Sequence, residues 1–197
     1  MRDKHTRTKG NEMDNRINYN FLKDFKLHGE VNQECIERYE QQLPGELIYI
    51  WRNYGFGTFM NGYLRIINPD DYLDLLKNSY FNAEAAIPIM TTAFGDIITW
   101  EEQQYVGIVE YRHGISDIII RGFDVFMILL NDDQAKKMIF TLDMYDNALK
   151  ERGEIEFNEC FGYVPLLALG GKKSVNNLKK VKMREHIALI TDLTGGI

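Results

Sequence analysis

The side chains that could perform chemistry are few and lie scattered along the chain. The histidines are His5, His28, His113 and His186, and none is spaced from another histidine, a cysteine or a carboxylate as a metal-binding motif such as H-E-x-x-H requires. Glu185 precedes His186, but no second histidine follows four residues later. The histidines therefore predict no metal site.

Nucleophilic catalysis also lacks a candidate. No serine lies in a G-x-S-x-G elbow, and Cys35 and Cys160 have no local nucleophile signature. Two distant cysteines indicate buried thiols of a reducing cytosol rather than a disulfide framework. The glycine-rich stretches 55–57 and 170–173 lack the context of a phosphate-binding loop, so we interpret them as turns. We expect no catalytic residue, metal or cofactor.

One group of carboxylates leaves an alternative open. Glu101 and Glu102 follow Trp100 and could pair with Asp96 or Glu110 as a general acid and base. Adjacent strand residues point to opposite faces, so both glutamates could serve one site only if the strand has ended. We favour a solvated edge. The alternative is a small enzyme or ligand-sensing domain with a pocket near Asp96, Trp100 and Glu101.

Charge is the clearest global signal. The net charge is −6, and residues 17–169 contain 24 Asp and Glu against 12 Lys and Arg, while both ends of the chain are basic. An acidic body repels nucleic acid and anionic lipid and favours a cationic partner. We expect the basic run over 172–184 to offset the acidic remainder internally.

Apolar runs such as 126–130 are far shorter than the roughly 20 residues that cross a bilayer. The polar N-terminus lacks the apolar region of a secretory signal. We therefore expect a cytoplasmic protein that binds neither membrane nor nucleic acid directly.

Helical patterns dominate the first part of the chain. Apolar spacing predicts two short helices within 22–43, the second capped by Asn32, and a third that begins at Pro44 and buries Trp51. Gly55 is expected to end this helix as a left-handed cap, before a tight link into a strand over 63–67. Asn68 then caps a further helix.

Short β-branched and aromatic runs follow, over 87–92, 97–100, 105–111, 118–120 and 123–130. Links this short join antiparallel neighbours, and helical patterns return at about 134–140, 144–153 and 183–193. The predicted fold is α+β, an antiparallel meander flanked by N-terminal and C-terminal helices. Residues 1–16 are interpreted as an extension, with Met13 a candidate native start, and regions 17–120 and 121–197 are expected to pack as one compact unit.

Longer motifs resemble two known families. Residues 43–47, 51–57, 62–72, 87–96 and 100–101 resemble the GAD-like domain, and residues 158–165, 167–171 and 175–181 resemble the C-terminal domain of type VI secretion immunity proteins. The proline-started helix, G-F-G turn and aromatic strands are also similar to SUKH scaffolds. The motif residues, which we interpret as turns and core, are Trp51, Gly55, Gly57, Gly62, Tyr63, Phe94, Gly95, Asp96, Trp100, Glu159, Phe161, Gly162, Pro165, Gly170 and Gly171.

The resemblance implies a non-catalytic immunity protein that acts in bacterial competition. Relatives of this kind are encoded beside toxic effectors, and the best known antagonise a DNA-degrading effector. Such an inhibitor would cover a cognate toxin encoded nearby, with an acidic face in place of nucleic acid phosphates. The candidate partner-binding residues are Asp70, Asp71, Asp74, Glu101, Glu102, Asp132 and Asp133.

Overall fold

A seven-stranded antiparallel sheet is the central element of the computed structural model, which describes residues 18–197. Each strand pairs with the next one along the chain, so the predicted meander is confirmed and extends further towards the N-terminus. The extension expected over residues 1–16 and the candidate start at Met13 lie outside the described residues. The strands are β1 (Lys26–Gly29), β2 (Phe56–Phe59), β3 (Leu64–Ile66), β4 (Ala86–Thr92), β5 (Ile97–Glu101), β6 (Tyr105–Glu110) and β7 (Ile115–Arg121).

Helices cover both faces of this sheet. A separate antiparallel pair, β8 (Glu159–Tyr163) and β9 (Leu178–Lys182), precedes the last helix. Within residues 18–197 no helix has the length and apolar character needed to cross a membrane. The helices are α1 (Gln33–Tyr39), α2 (Gly45–Tyr54), α3 (Leu73–Ser79), α4 (Phe123–Asn131), α5 (Asp133–Ile139), α6 (Leu142–Arg152) and α7 (Met183–Thr194).

The alternation of side chains along the strands builds two cores. Ile98 and Ile108 belong to the larger one, which is shared with α1, α2 and α4. Their neighbours Ile97 and Val109 point to the opposite face and pack with residues of α3 and α7. Since successive strand residues point to opposite faces, a strand that is apolar at every position must be covered on both sides.

Residues 123–130, predicted as a strand, form the helix α4, and that prediction was wrong. The buried residues are Phe123, Phe126, Met127 and Leu130, which follow the i, i+3, i+4, i+7 spacing of one helix face. An apolar run is ambiguous because both a central strand and a buried helix are rich in such residues. The exposed Ile128 completes the helical pattern.

Two strands near the N-terminus were missed. The pattern over residues 22–27 predicted a helix, but Lys26–Gly29 is β1, preceded by a short 3-10 turn over Asn20–Leu22. Likewise Phe56–Phe59, expected as a link, is β2 and pairs with both β1 and β3. Pairing between distant segments decided these short strands, because local propensity is weak over four residues.

The C-terminal region contacts the sheet through specific bonds. The amide of Phe161 in β8 donates to the carbonyl of Ala93 at 2.8 Å, and the Tyr145 hydroxyl of α6 donates to the carbonyl of Asn61 at 2.9 Å. The basic run over 172–184 contains β9, a strand that the sequence patterns did not predict.

Gly55 ends α2 with φ +81° and ψ −161°. The positive φ is as predicted, but ψ is extended, so the prediction of a left-handed helical conformation at Gly55 was wrong. The residue turns the chain directly from α2 into β2. A Cβ atom at this position would lie 2.7 Å from the carbonyl oxygen of Gly29 and 2.7 Å from Leu27 Cδ1.

We expect Gly55→Ala to destabilise the protein by at least about 2 kcal/mol, because positive φ and the collision with β1 add together. The matched control is Gly45→Ala at the start of α2, where nothing lies within 4 Å of the position that a Cβ atom would take. Urea denaturation of both variants provides the comparison. Equal stability of the two variants would refute the role assigned to Gly55.

Candidate functional site

Three of the predicted partner-binding carboxylates lie around the start of α3. Asp70 accepts hydrogen bonds from Arg38 and from the Tyr39 hydroxyl, and Asp74 accepts two bonds from Arg184, at 2.8 and 3.1 Å. Asp71 is exposed as a residue, but its carboxyl is partly shielded from solvent, and this shielding raises the carboxyl pKa. Asp70 and Asp74 therefore already join segments of the protein itself.

The carboxylates at the start of α5 also have local partners. Asp132 caps this helix by accepting bonds from the amides of Gln134 and Ala135, both at 2.8 Å. Asp133 pairs with Lys136 at 2.7 Å although its side chain is 86% exposed. Both carboxylates therefore have local partners, and an approaching protein would meet them mainly as part of the negative charge of the surface.

Glu101 and Glu102 occupy very different environments. The solvated edge expected for both is wrong for Glu101, which is only 3% exposed. Glu102 is exposed and stands at φ +50°, in the tight turn between β5 and β6. The strand ends at Glu101, so the alternation of side chains along a strand does not extend to Glu102.

The carboxylate of Glu101 is held by three neutral donors. Thr99 and Tyr80 donate hydroxyl bonds to Oε1 at 2.6 and 3.1 Å, and the amide of Asn82 donates to Oε2 at 2.8 Å. Within residues 18–197 no cationic side chain pairs with it. Glu101 is thus a buried carboxylate that accepts hydrogen bonds from neutral groups and has no cationic partner among the described residues.

Two surface grooves flank the β5–β6 turn. One, of about 410 Å³, runs between the turn and the segment before α2 and includes Gln42, Glu84 and Trp100. The other, of about 340 Å³, lies between the segment after α3 and the strand β7. We call the second one the edge groove. It is lined by Tyr80, Phe81, Asn82, Glu101, Glu102, Tyr105, Ser116, Asp117 and Ile118.

The single pocket proposed near Asp96, Trp100 and Glu101 is not formed. Asp96 precedes β5 and Glu101 ends it, which separates them by roughly 16 Å. Trp100 is buried and donates its indole N–H to the carbonyl of Gln42 at 3.1 Å. These residues therefore do not converge on one reacting atom.

Asp96 instead belongs to a buried ion cluster. It lies 3.3 Å from the guanidinium of Arg112, which also lies 3.5 Å from Glu110 and 4.4 Å from the centre of the Phe94 ring. Burial raises the pKa of the Asp96 carboxyl, although Arg112 and a bond from Thr92 act in the opposite direction. Arg112 donates to the Thr141 hydroxyl at 3.0 Å, so the cluster ties the sheet to the helices that follow it.

The family-motif residues lie in the core and at sharp turns. Trp51, Tyr63, Phe94, Trp100 and Phe161 are buried, and glycine is needed at several close approaches. A Cβ at position 162 would lie 2.4 Å from His186 Nε2, and one at position 171 would lie 2.0 Å from the carbonyl oxygen at position 165. The peptide before Pro165 is cis, and Glu159 pairs with Lys182 at 3.3 Å. The remaining motif glycines with positive φ are Gly62, Gly95 and Gly170.

The thiols and metal-ligating groups of residues 18–197 form no assembled centre. No group of three or more His, Cys, Asp or Glu side chains there could hold a metal ion. Both cysteines are buried, and burial raises the pKa of Cys35 to about 11 and that of Cys160 to about 12. Each thiol is therefore held in its protonated, poorly nucleophilic form.

The sequence patterns missed the apolar part of the edge groove. Phe81 is 80% exposed, and Ile118 on β7 is 43% exposed. The signal that could have identified β7 as an edge strand is Asp117, a charge in the middle of an isoleucine-rich strand. The sequence pattern predicted a strand here but did not predict that this strand lies at the edge of the sheet.

Comparisons with known proteins agree with this architecture. Residues 17–111 match the family described as GAD-like domain, and residues 121–194 match the family described as T6SS immunity protein Tdi1, C-terminal. No curated protein matched the sequence. A solved structure, the crystal structure of Atu4351 from Agrobacterium tumefaciens, has a TM-score of 0.70 at 18% identity and covers 87% of each chain, which shows the same fold. Together the two matches account for most of the chain, which combines a region similar to the GAD-like domain with a following region similar to the C-terminal part of the T6SS immunity protein Tdi1.

Proposed function

We propose that this protein binds and neutralises a secreted bacterial toxin in the cytoplasm of the producing cell, without catalysis, and that the toxin is a nuclease effector of a type VI secretion system. The immunity family that matches residues 121–194 supports the first part. The distribution of charge supports the second.

The excess of acid is confined to the GAD-like region. Residues 17–111 contain 14 Asp and Glu against six Lys and Arg, whereas residues 121–194 contain 11 of each. A nuclease presents a cationic groove to the phosphates of its substrate. An acidic region on its inhibitor would steer the two proteins together and occupy that groove. This uneven charge is the observation that carries the proposal.

The predicted carboxylates then have two different roles. Glu102 lies exposed between the two grooves, where it can meet a partner directly. Asp70, Asp71, Asp74, Asp132 and Asp133 contribute to the field that speeds encounter, because most of them already have partners within the protein. Exposed carboxylates of this kind change association rates more than dissociation rates.

The test is binding and inhibition with the toxin domain encoded by the adjacent gene. We expect a stable complex and a stoichiometric loss of nuclease activity as the protein is added. No complex at micromolar concentrations, or turnover of a small substrate by the purified protein alone, would refute the proposal.

The association rate should fall roughly tenfold between low and high salt, since screening removes electrostatic steering. The double variant Asp71→Asn and Glu102→Gln should associate several-fold more slowly than the wild type. The matched control, Lys179→Gln and Lys180→Gln at two exposed positions of β9, should not slow association, because it makes the protein more negative. Stopped-flow or biosensor kinetics provide the rates, and equal slowing by both double variants would contradict the steering argument.

A further inference from the structure

The strand β7 ends the seven-stranded sheet and has one open edge. It pairs with β6 on one side, and within residues 18–197 no backbone hydrogen bond joins its other side to another segment. The amide of Ile118 donates instead to the neighbouring carboxylate of Asp117 at 2.8 Å. An incoming strand could exchange this local bond for a ladder bond.

The opposite edge of the sheet is much less suited to strand addition. β1 has only four residues and includes Lys26, whereas a register shift against the neighbouring strand is found at both edges. Short length and lysine are features that discourage further pairing. β7 has seven residues and contains neither lysine nor proline.

The edge groove adds side-chain recognition to this open backbone. Phe81 and Ile118 provide exposed apolar surface beside it. Three carboxylates, Glu101, Glu102 and Asp117, line the groove, and its lining includes no lysine or arginine. The surface therefore combines an unpaired strand, an apolar anchor point and negative charge.

Glu101 differs from the other acids of the groove because it is buried. Its carboxylate is almost fully buried, lines the groove and has only neutral donors around it. Burial of an ionised carboxylate is costly unless a cation compensates it. A lysine or arginine side chain entering the groove would supply that cation.

We propose that a basic, extended segment of the toxin adds to β7 as an eighth strand and places a lysine or arginine side chain on Glu101. Apolar side chains of the same segment pack against Phe81 and Ile118. This inference rests on the proposed function, and it names the surface by which the toxin is bound.

The charge of the groove argues against a second copy of this chain as the occupant. A two-fold pairing of β7 with itself would bring two identical acidic surfaces together, with Asp117 of each copy in the middle of the new ladder. Like charges placed opposite one another in a ladder oppose pairing. A cationic segment is the complementary partner.

The experiment measures the affinity of the toxin domain from the adjacent gene for the wild type and four variants. Phe81→Ser and Glu101→Gln alter the edge groove, whereas Met138→Ser and Glu34→Gln alter residues of α5 and α1 that are similarly apolar or acidic. Met138 is 88% exposed and the Glu34 side chain 81% exposed, so both are surface controls. We expect each groove variant to weaken binding at least tenfold and each control to change it less than twofold.

Hydrogen exchange on the complex provides an independent readout of strand addition. Amides within 115–121 should exchange at least tenfold more slowly in the complex than in the free protein. Thermal melting of each free variant shows whether it is folded, and if Glu101→Gln does not fold, Phe81→Ser and the exchange data decide the question.

The outcomes separate the two proposals. If the wild type does not bind the toxin, the proposed function fails. If the wild type binds but the groove variants bind equally well and exchange within 115–121 is unchanged, only the assignment of the surface is overturned. If the free protein is a dimer that Phe81→Ser converts to a monomer, the occupant of the edge is a second copy and the assignment to the toxin is wrong.

Discussion

Trp51→Ala is expected to destabilise the protein by about 3–5 kcal/mol, because it deletes the largest side chain of a closely packed core. Trp51 is 1% exposed on α2, and its ring meets Tyr39 and Phe56 edge-on at centroid distances of 6.0 and 5.4 Å. The surrounding aromatic rings leave little room for the cavity to collapse. Urea denaturation monitored by circular dichroism provides the free energy of unfolding.

Two further variants test the reason for that loss. Trp51→Phe should cost clearly less than Trp51→Ala, because it keeps a ring in place and removes an indole N–H that is buried without a partner within residues 18–197. Arg52→Ala on the exposed side of the same helix should cost less than about 1 kcal/mol, since its bond to Glu40 lies at the surface. An unchanged melting temperature for Trp51→Ala would show that the residue is not a core anchor.

Arg112→Met is expected to cost about 3–5 kcal/mol, because it leaves the carboxylate of Asp96 buried without its cation. Asp96 is 1% exposed and lies 3.3 Å from Arg112. The double variant Arg112→Met and Asp96→Asn should recover much of the loss, since it removes both charges. A double-mutant cycle by chemical denaturation measures the coupling, and strictly additive losses would contradict a direct interaction.

The same variant should be less destabilised at low pH. Burial already raises the pKa of Asp96 in the folded protein above its usual value, and loss of Arg112 raises this pKa further. A carboxyl whose folded pKa is raised favours the folded state below its unfolded pKa, and this contribution is lost as pH rises through the folded pKa. Denaturation of Arg112→Met at pH 5 and pH 8 should therefore show the larger loss at pH 8.

The sequence predicted the middle of the fold well for a simple reason. Links of three or four residues between β4, β5, β6 and β7 leave antiparallel pairing as the only connection that the chain can make. Cap signals were equally direct. Asn32 accepts a hydrogen bond from the amide of Cys35 at 2.8 Å, and Asn68 accepts one from the amide of Asp70 at 3.1 Å, although Asn68 caps a 3-10 turn over Pro69–Asp71 and not α3 itself. The burial of Trp51 followed from its position on the apolar face of α2.

The candidate site was predicted only in part. Glu101 and Glu102 were identified as candidates because paired acids follow a strand. The sequence did not predict that Glu101 is buried and Glu102 exposed. Phe81 was not identified, since a phenylalanine next to a helix end is ordinarily a core residue. Its exposure depends on the segment after α3, where its own amide donates to the carbonyl of Ile197 at 2.7 Å.

The sequence by itself determined the distribution of charge, the family motifs, the antiparallel meander and the helix caps. Each of these features depends on the residues themselves, on their neighbours or on short links. Tertiary structure alone decided that 123–130 is a helix, that β1 and β2 extend the sheet, and that β7 is its open edge. Those outcomes depend on which distant segments compete for the same backbone hydrogen bonds and the same buried surface. The edge groove results from this competition, since it forms where the sheet ends and no other described segment pairs with it.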